Sequence, residues 1–164
     1  MIILATNPSL SMLVKSPSLL LAFGFGSGLA PKAPGTFGSL VGLAIWFLIA
    51  DLSLPTYLIV VAISGLFGVF ICGAAAKKMG VHDHGGIVWD EFVGLWIAMT
   101  ALPVSWISVL LGFGLFRFFD IIKPWPISWI DKNLTGGWGI MLDDVAAGAA
   151  ASLTIYMLMS LGWL

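Results

Sequence analysis

The acidic residues of this chain are few, and they gather in one part of the sequence. Of the 8 Asp and Glu residues, all except Asp51 lie between positions 83 and 144. Two adjacent acidic pairs, Asp90-Glu91 and Asp143-Asp144, each run directly into an apolar stretch. Either pair alone could be an ordinary helix start, since acids there complement the helix dipole. Two such pairs held beside a membrane are costly and usually functional.

A divalent cation is the simplest way to keep these acids together, because neighbouring carboxylates otherwise repel one another. Cys72 is the only cysteine and stands inside an apolar run, so thiolate ligands are not expected. Oxygen ligands suit Mg²⁺, Mn²⁺ or Ca²⁺. The sequence therefore predicts a metal site built from carboxylates. Its predicted ligands are Asp90, Glu91, Asp143 and Asp144.

Basic residues near these acids indicate that the site handles phosphate. Arg117 lies three residues before Asp120 at the end of an apolar stretch, so the two side chains share one helix face. A guanidinium beside carboxylates and a metal is suited to bidentate contact with a phosphate. Lys123 precedes the rigid segment Pro124-Trp125-Pro126. We expect Arg117 and Lys123 to grip the phosphate. Asp120 would orient Arg117 or complete the metal shell.

A glycine-rich segment from Gly24 to Ser39 could add backbone N–H groups to such a site. Glycines allow the backbone to approach a ligand and to form an anion-binding nest. Thr36 or Ser39, at the start of the next apolar stretch, would add a hydroxyl donor and a positive helix end. From the glycines alone, close helix packing is the simpler interpretation. Together with the other cations, however, we predict that Lys32, Gly35 and Thr36 assist phosphate binding.

Asp83 lies between two histidines, His82 and His84. A spacing of two residues would let both imidazoles face one way in an extended segment. A zinc site would need a further strong ligand nearby, however, and a solvated loop is an equally good interpretation. We therefore predict at most a supporting role around the metal for Asp83, His82 and His84.

The chain is too apolar for a soluble domain. Hydrophobic residues make up 60% of it and charged residues 9%, and its mean hydropathy is +1.07, whereas soluble domains average roughly 25% charged residues. We predict an all-α, polytopic membrane bundle that forms a single domain over residues 1–164. The net charge of −1 indicates no nucleic-acid partner. The predicted membrane spans are 37–54, 57–76, 87–102, 104–120 and 143–164.

The number of spans depends on residues 87–119, which could form two short helices or one helix kinked at Pro103. Two helices give five spans, and one helix gives four. With five spans, all 7 Lys and Arg residues fall on one side of the membrane, which the positive-inside rule makes cytoplasmic. We favour five spans, which also bring both acidic pairs and Arg117 to the cytoplasmic face.

Four sequence blocks resemble the phosphatidylglycerophosphatase A family, and the similarity runs from about Gly24 to Gly148. The blocks are GFGSGLAPKAPGTFGS, GVHDHGGIVWDEFVG, FRFFDIIKPWPI and GGWGIMLDDVAAG. The resemblance implies a Mg²⁺-dependent enzyme of the bacterial inner membrane that hydrolyses phosphatidylglycerol phosphate to phosphatidylglycerol and inorganic phosphate. That reaction belongs to the synthesis of phosphatidylglycerol and cardiolipin. The lipid would keep its acyl chains in the bilayer and offer its phosphate at the headgroup level.

For that reaction, two routes stay open in the sequence. A water activated by the metal could attack the phosphate. Alternatively, Asp90 or Asp143 could attack it and form an aspartyl-phosphate. The predicted catalytic residues are Asp90, Asp143, Asp120 and Arg117.

Two other classes of membrane protein also use intramembrane acids. A small transporter or channel would place its carboxylates near the midpoints of its spans, whereas here most of them lie at span ends. A CDP-alcohol phosphatidyltransferase is a metal-dependent enzyme of lipid synthesis, but its DG…AR…G…D…D signature is missing from the sequence. The phosphatase interpretation is therefore the favoured one.

Overall fold

The computed structural model describes residues 7–81 and 83–162, and every regular element in these ranges is helical. The predicted all-α class is therefore confirmed. The helices are α1 (Leu10–Lys15), α2 (Pro17–Ala22), α3 (Pro34–Ile49), α4 (Leu54–Met79), α5 (Trp89–Ala98), α6 (Trp106–Ile122), α7 (Ile127–Asn133) and α8 (Gly136–Ser160). A 3-10 segment, Gly24–Leu29, lies between α2 and α3.

Local sequence signals set several of the helix ends. Pro34 and Pro55 lie in the first turns of α3 and α4. The backbone N–H that proline lacks would have no acceptor within the helix at these positions. α4 ends at Gly80, which has a φ of 68° that glycine adopts easily. Ser105 caps α6, because its hydroxyl oxygen accepts a hydrogen bond from Ser108 N at 3.1 Å.

The central helix of the bundle is α8. It packs against α4, α5, α6 and α7, and α5 lies between α3 and α8. In α5, Trp96 Nε1 donates a hydrogen bond to Gly42 O of α3 at 2.8 Å. Tyr57 OH of α4 donates to Trp96 O at 2.6 Å, and Tyr156 OH of α8 donates to Thr100 O at 2.7 Å. These bonds tie three neighbouring helices to α5 and the turn that follows it.

Glycine allows two very close approaches between helices. Where α5 crosses α8, a Cβ on Gly148 would overlap the carbonyl oxygen of Gly94. Where α8 begins, a Cβ on Gly137 would overlap the carbonyl oxygen of Val69 in α4. Small residues let helix backbones approach in this way in a lipid environment. Both contacts hold α8 directly against its neighbours.

The helices alternate in direction, so several of their ends meet at one end of the bundle. Along α5 and α6, Gly94 faces Phe116 whereas Met99 faces Gly112, which shows that these two helices are antiparallel. Similar contacts show that α3 and α8 run parallel to α5, and that α4 runs against α8. The beginnings of α3, α5 and α8 therefore lie near the ends of α4 and α6.

The last helix begins earlier than the sequence predicted. α8 starts at Gly136, where a φ of 67° lets the chain turn, so Asp143 and Asp144 lie about two turns inside the helix. The expectation that these two acids occupy its first turn is therefore wrong. The reason is that Gly137 packs on the Val69 carbonyl of α4. A helix thus forms over residues that lie before the predicted span 143–164.

Residues 87–119 form two helices, because α5 ends at Ala98 and α6 begins at Trp106. The two helices contact each other. α5 contains 10 residues, which corresponds to about 15 Å. That is roughly half of a 30 Å hydrocarbon core.

In the described part of the chain, two helices are long and apolar enough to cross a membrane, α4 with 26 residues and α8 with 25. α3 is apolar but contains 16 residues. Two is fewer than the five spans predicted, so the polytopic bundle is supported in part. Large apolar side chains on the outside agree with a membrane location; Leu48 is 81% exposed, Phe70 74% and Leu110 71%.

Replacing Gly148 with alanine should push α5 and α8 apart, because the new Cβ would overlap the Gly94 carbonyl. We expect a loss of ~1–3 kcal/mol of stability, measured as a lower thermal unfolding midpoint in detergent. Gly114→Ala is the matched control, since it lies on α6 and no described atom lies within 4 Å of a Cβ there. Equal midpoints for the two variants would contradict the close crossing.

Candidate active site

The crossing of α5 and α8 sets the positions of the acidic pairs. Asp90 precedes Gly94 by four residues, and Asp144 precedes Gly148 by four, so each acid lies about one helical turn from the crossing. Asp90 and Glu91 occupy the first turn of α5. Asp144 is close enough to interact electrostatically with both. The two pairs therefore meet in space although they are far apart in the sequence.

Arg117 lies among carboxylates from two helices. Its Nη1 donates to Glu91 Oε2 of α5, and it lies 2.8 Å from Asp120 Oδ2 on its own helix. Ser39 Oγ of α3 donates to the same Glu91 Oε2 at 2.7 Å. Gly35 adjoins this group, since a Cβ there would overlap Glu91 Oε1 and come within 3.3 Å of Arg117 Nη1. The start of α3 thus forms one wall of the site.

Lys123 joins the end of α6 to α7 and α8. Its Nζ donates to Asp131 Oδ1 and to Asp143 Oδ2, both at 2.7 Å. Burial lowers the pKa of the Lys123 ammonium, but the hydrogen bonds and charges of the two carboxylates outweigh burial and hold that pKa above its ordinary value. Lys123 therefore stays positively charged, and it binds carboxylates where the sequence predicted contact with a phosphate.

Several carboxylate oxygens of the site are buried and unpaired. Asp90 Oδ1, Asp143 Oδ1 and Asp144 Oδ2 each lack a hydrogen-bond donor within residues 7–81 and 83–162. Asp144 also experiences the negative charges of Glu91 and Asp120. Burying a charged oxygen without a partner is costly. These unpaired carboxylate oxygens could therefore bind a further positive charge.

A divalent cation fits this capacity, because the donors are hard carboxylate oxygens. The described residues contain no group of three or more His, Cys, Asp or Glu side chains already arranged around a metal position. Of the four predicted ligands, Glu91 contacts Arg117 and Asp143 contacts Lys123. Each of these contacts uses one carboxylate oxygen, so Asp143 Oδ1 and Glu91 Oε1 are the oxygens left for a metal.

The turn before α3 contributes unequally to the site. Lys32 is exposed and Thr36 is half-buried, and Thr36 N donates to Ala33 O at 3.0 Å. Gly28 packs against the loop before α5, since a Cβ there would overlap the carbonyl oxygen of Gly86. Much of this segment therefore serves close packing, while Gly35 reaches the site itself.

The loop before α5 contains the predicted supporting residues. His84 is buried, its Nδ1 accepts a hydrogen bond from Gly86 N at 3.0 Å, and its ring lies 5.3 Å from that of Phe23. Asp83 is exposed and lines a cavity of about 100 Å³ together with Asp131 and Asp143. His82 lies outside the described residues.

Sequence reasoning gave no role to Asp131 and missed the contact between Ser39 and Glu91. Asp131 lies on the short helix α7 and reaches Lys123 across a turn. Ser39 was expected to face a ligand, but its hydroxyl faces α5. Spacing along the chain gives no signal for either contact, since both depend on how separate helices pack.

Paired cations and unpaired acids at the end of an apolar helical bundle suit an enzyme class that handles phosphate at a membrane. Residues 20–159 match the family model described as phosphatidylglycerophosphatase A. The chain belongs to the phosphatidylglycerophosphatase A family, as the four sequence blocks indicated. It is accordingly an enzyme, and the transporter and channel interpretations are not supported.

Relatives with known names agree with this family. Phosphatidylglycerophosphatase A of Escherichia coli (strain K12) is 49% identical over 146 residues, which cover 88% of this chain and 85% of that protein. The enzyme of the same name from Haemophilus influenzae is 47% identical over 152 residues, covering 92% and 93%. A putative phosphatidylinositol-3-phosphatase of Bacteroides thetaiotaomicron is 38% identical over 154 residues, covering 87% and 95%. No solved structure matches the chain.

Gly35→Ala should disturb the site, because the new Cβ would overlap Glu91 Oε1 and displace Glu91 from Arg117. We expect phosphatase activity to fall by roughly tenfold to a hundredfold, the size of a lost charged hydrogen bond. Phosphate release from lipid substrate measures this. Gly85→Ala is the control, since no described atom lies within 4 Å of a Cβ there. Equal activity of the two variants would show that Gly35 is not part of the site.

Proposed function

We propose that the chain hydrolyses phosphatidylglycerol phosphate to phosphatidylglycerol and inorganic phosphate, with Mg²⁺ as cofactor, at the cytoplasmic face of a bacterial inner membrane. Phosphatidylglycerol made in this way would also supply cardiolipin synthesis. One observation carries the proposal: buried, unpaired carboxylate oxygens lie beside an arginine whose Nε is also buried and unpaired among the described residues. Buried polar groups normally have partners, so both sets are expected to bind a charged ligand.

Arg117 is suited to hold the phosphate. Its contacts with Glu91, Asp120 and Ser39 all use Nη1. Its Nε has no hydrogen-bond acceptor within the described ranges. A guanidinium can bind a phosphate through two parallel N–H groups, and the Nε edge is the one left for such a contact. Arg117 would then stabilise negative charge that develops on the phosphate oxygens.

Asp90, Asp143 and Asp144 would supply most of the Mg²⁺ ligands, with Glu91 as the fourth predicted ligand. Support comes from the unpaired oxygens of the three aspartates and from the preference of Mg²⁺ for carboxylates. When bound, Mg²⁺ would neutralise charge on the phosphate oxygens. Lys123 holds Asp143, so its role in the reaction would be to orient that carboxylate as well as to add positive charge.

Asp90 is the stronger candidate for the attacking or proton-accepting carboxylate. Asp143 Oδ2 accepts a hydrogen bond from Lys123 Nζ at 2.7 Å, which leaves that carboxylate a single oxygen for metal binding and for attack. Asp90 Oδ1 has no such partner in the described structure. Direct attack by Asp90 would break the bond to the lipid oxygen, releasing phosphatidylglycerol and giving an aspartyl-phosphate that water then hydrolyses to inorganic phosphate. Proton acceptance from an attacking water would instead release both products in one step.

The relatives support a lipid substrate with a terminal phosphate. Two are named for phosphatidylglycerol phosphate and one for a phosphatidylinositol phosphate. Both substrates carry a phosphate monoester on a lipid headgroup. We propose phosphatidylglycerol phosphate because the two more similar relatives carry that name. Five crossings, with the site on the cytoplasmic side, remain our proposal for the topology.

Asp90→Asn and Asp144→Asn should each abolish phosphate release from phosphatidylglycerol phosphate, because each removes a charged oxygen from the site while keeping its size. Both variants should still insert in the membrane and, without divalent cations, keep their thermal unfolding midpoints. Asp51→Asn is the matched control, since Asp51 lies in the exposed turn between α3 and α4. Normal activity in both site variants would refute their assignment.

Removal of divalent cations with EDTA should stop phosphate release, and added Mg²⁺ should restore it, because the acids need a cation to bind the phosphate. Mg²⁺ should also raise the thermal unfolding midpoint of the EDTA-treated protein, since a ligand that binds the folded state stabilises it. The Asp144→Asn variant should lose most of this increase. Full activity in EDTA would exclude the metal.

A further inference from the structure

Ser39 is a buried polar residue without a role in the proposed reaction. Its side chain is 0% exposed, and it lies on α3 where that helix meets α5 and α6. Its hydroxyl donates to Glu91 Oε2 at 2.7 Å, and Arg117 Nη1 approaches its oxygen at 3.5 Å. Because it is fully buried and turned toward these two side chains, Ser39 does not face a ligand directly.

The Ser39 hydroxyl has one proton and two possible acceptors. One is Gly35 O on the preceding turn of α3, at 2.9 Å, and the other is Glu91 Oε2, at 2.7 Å. A hydroxyl can donate one hydrogen bond at a time. The bond to an ionised carboxylate is the stronger one. The Ser39 hydroxyl therefore donates to Glu91 Oε2, and this hydrogen bond joins α3 to α5.

The two oxygens of Glu91 consequently have different roles. Ser39 and Arg117 both bind Oε2, while Oε1 lies on the side of Gly35, where a Cβ would overlap it. With Oε2 bound twice and Oε1 limited by the Gly35 backbone, the carboxylate cannot rotate freely. A fixed carboxylate in turn fixes Nη1 of Arg117.

Asp120 alone cannot fix the Arg117 guanidinium relative to the other helices. Asp120 and Arg117 lie three residues apart on α6, so their contact moves with that helix. Glu91 is the partner of Arg117 on another helix, and Ser39 ties Glu91 to a third. The three-helix contact therefore determines where the guanidinium points in the site.

We propose that Ser39 is a positioning residue for phosphate binding: it holds Glu91 so that Arg117 is bound through Nη1 and keeps its Nε edge for the phosphate of the substrate. This inference rests on the proposed phosphatase function. Ser39 touches neither the substrate nor the metal. It acts through Glu91 on Arg117.

Binding of ³²P-labelled inorganic phosphate to the full-length protein in detergent with Mg²⁺ tests this role without requiring turnover. Ser39→Ala should weaken phosphate binding by about tenfold, the effect of losing a hydrogen bond to a charged group. Ser108→Ala is the matched control, since it removes another buried serine hydroxyl, which pairs with Ser105 at the other end of the bundle. It should bind phosphate as the unchanged protein does.

A second comparison separates positioning from general stability. In an Arg117→Lys background, Ser39→Ala should weaken phosphate binding by less than twofold, because coupled residues give non-additive effects. Unchanged phosphate affinity of Ser39→Ala, or an equal loss in both backgrounds, would overturn the role of Ser39. Failure of the unchanged protein to bind or release phosphate would instead overturn the proposed function, and the inference with it.

Discussion

Negative charge buried beside a membrane is the constraint on which the rest of this structure depends. Such charge is tolerated when cations or hydrogen-bond donors accompany it. Within residues 7–81 and 83–162, Arg117 and Lys123 contact it, and each binds two carboxylates from two different helices. The carboxylates that interact at this end of the bundle are Asp83, Asp90, Glu91, Asp120, Asp131, Asp143 and Asp144. The remaining imbalance explains why the site is suited to a further cation and to a charged substrate.

The charged residues gather at one end of the bundle because the helices alternate in direction and approach closely. α5 is short, yet it contacts α3, α4, α6 and α8, so its first turn lies among groups from all sides. Glycines at the contacts remove the side chains that would otherwise keep the backbones apart. The positions of the acidic pairs therefore depend on the close packing of α5 and α8 about one turn away.

Much of the site was predictable from sequence, and the rest was not, for physical reasons. Asp90, Glu91, Arg117 and Asp120 were placed correctly on their helices because their signals are local: acids before an apolar run, and a spacing of three residues. The start of α8 was missed because it depends on the packing of Gly137 on α4, a contact between residues distant in sequence. The partners of Ser39 and Lys123 come from helices distant in sequence, so spacing alone could not identify them. The five spans predicted also exceed the two described helices that are long enough to cross a membrane. One reason is that α5 contains 10 residues.

The contact between Gly94 and Gly148 has a consequence for making hybrid proteins from relatives in this family. Gly148 excludes a side chain because of the Gly94 carbonyl, and Gly94 excludes one because of Phe116 and the Asp144 carbonyl. A junction placed anywhere between them would join an α5 from one parent to an α8 from another. Such a hybrid would keep its acidic pairs in register only if the first parent supplied glycine at position 94 and the second supplied glycine at position 148.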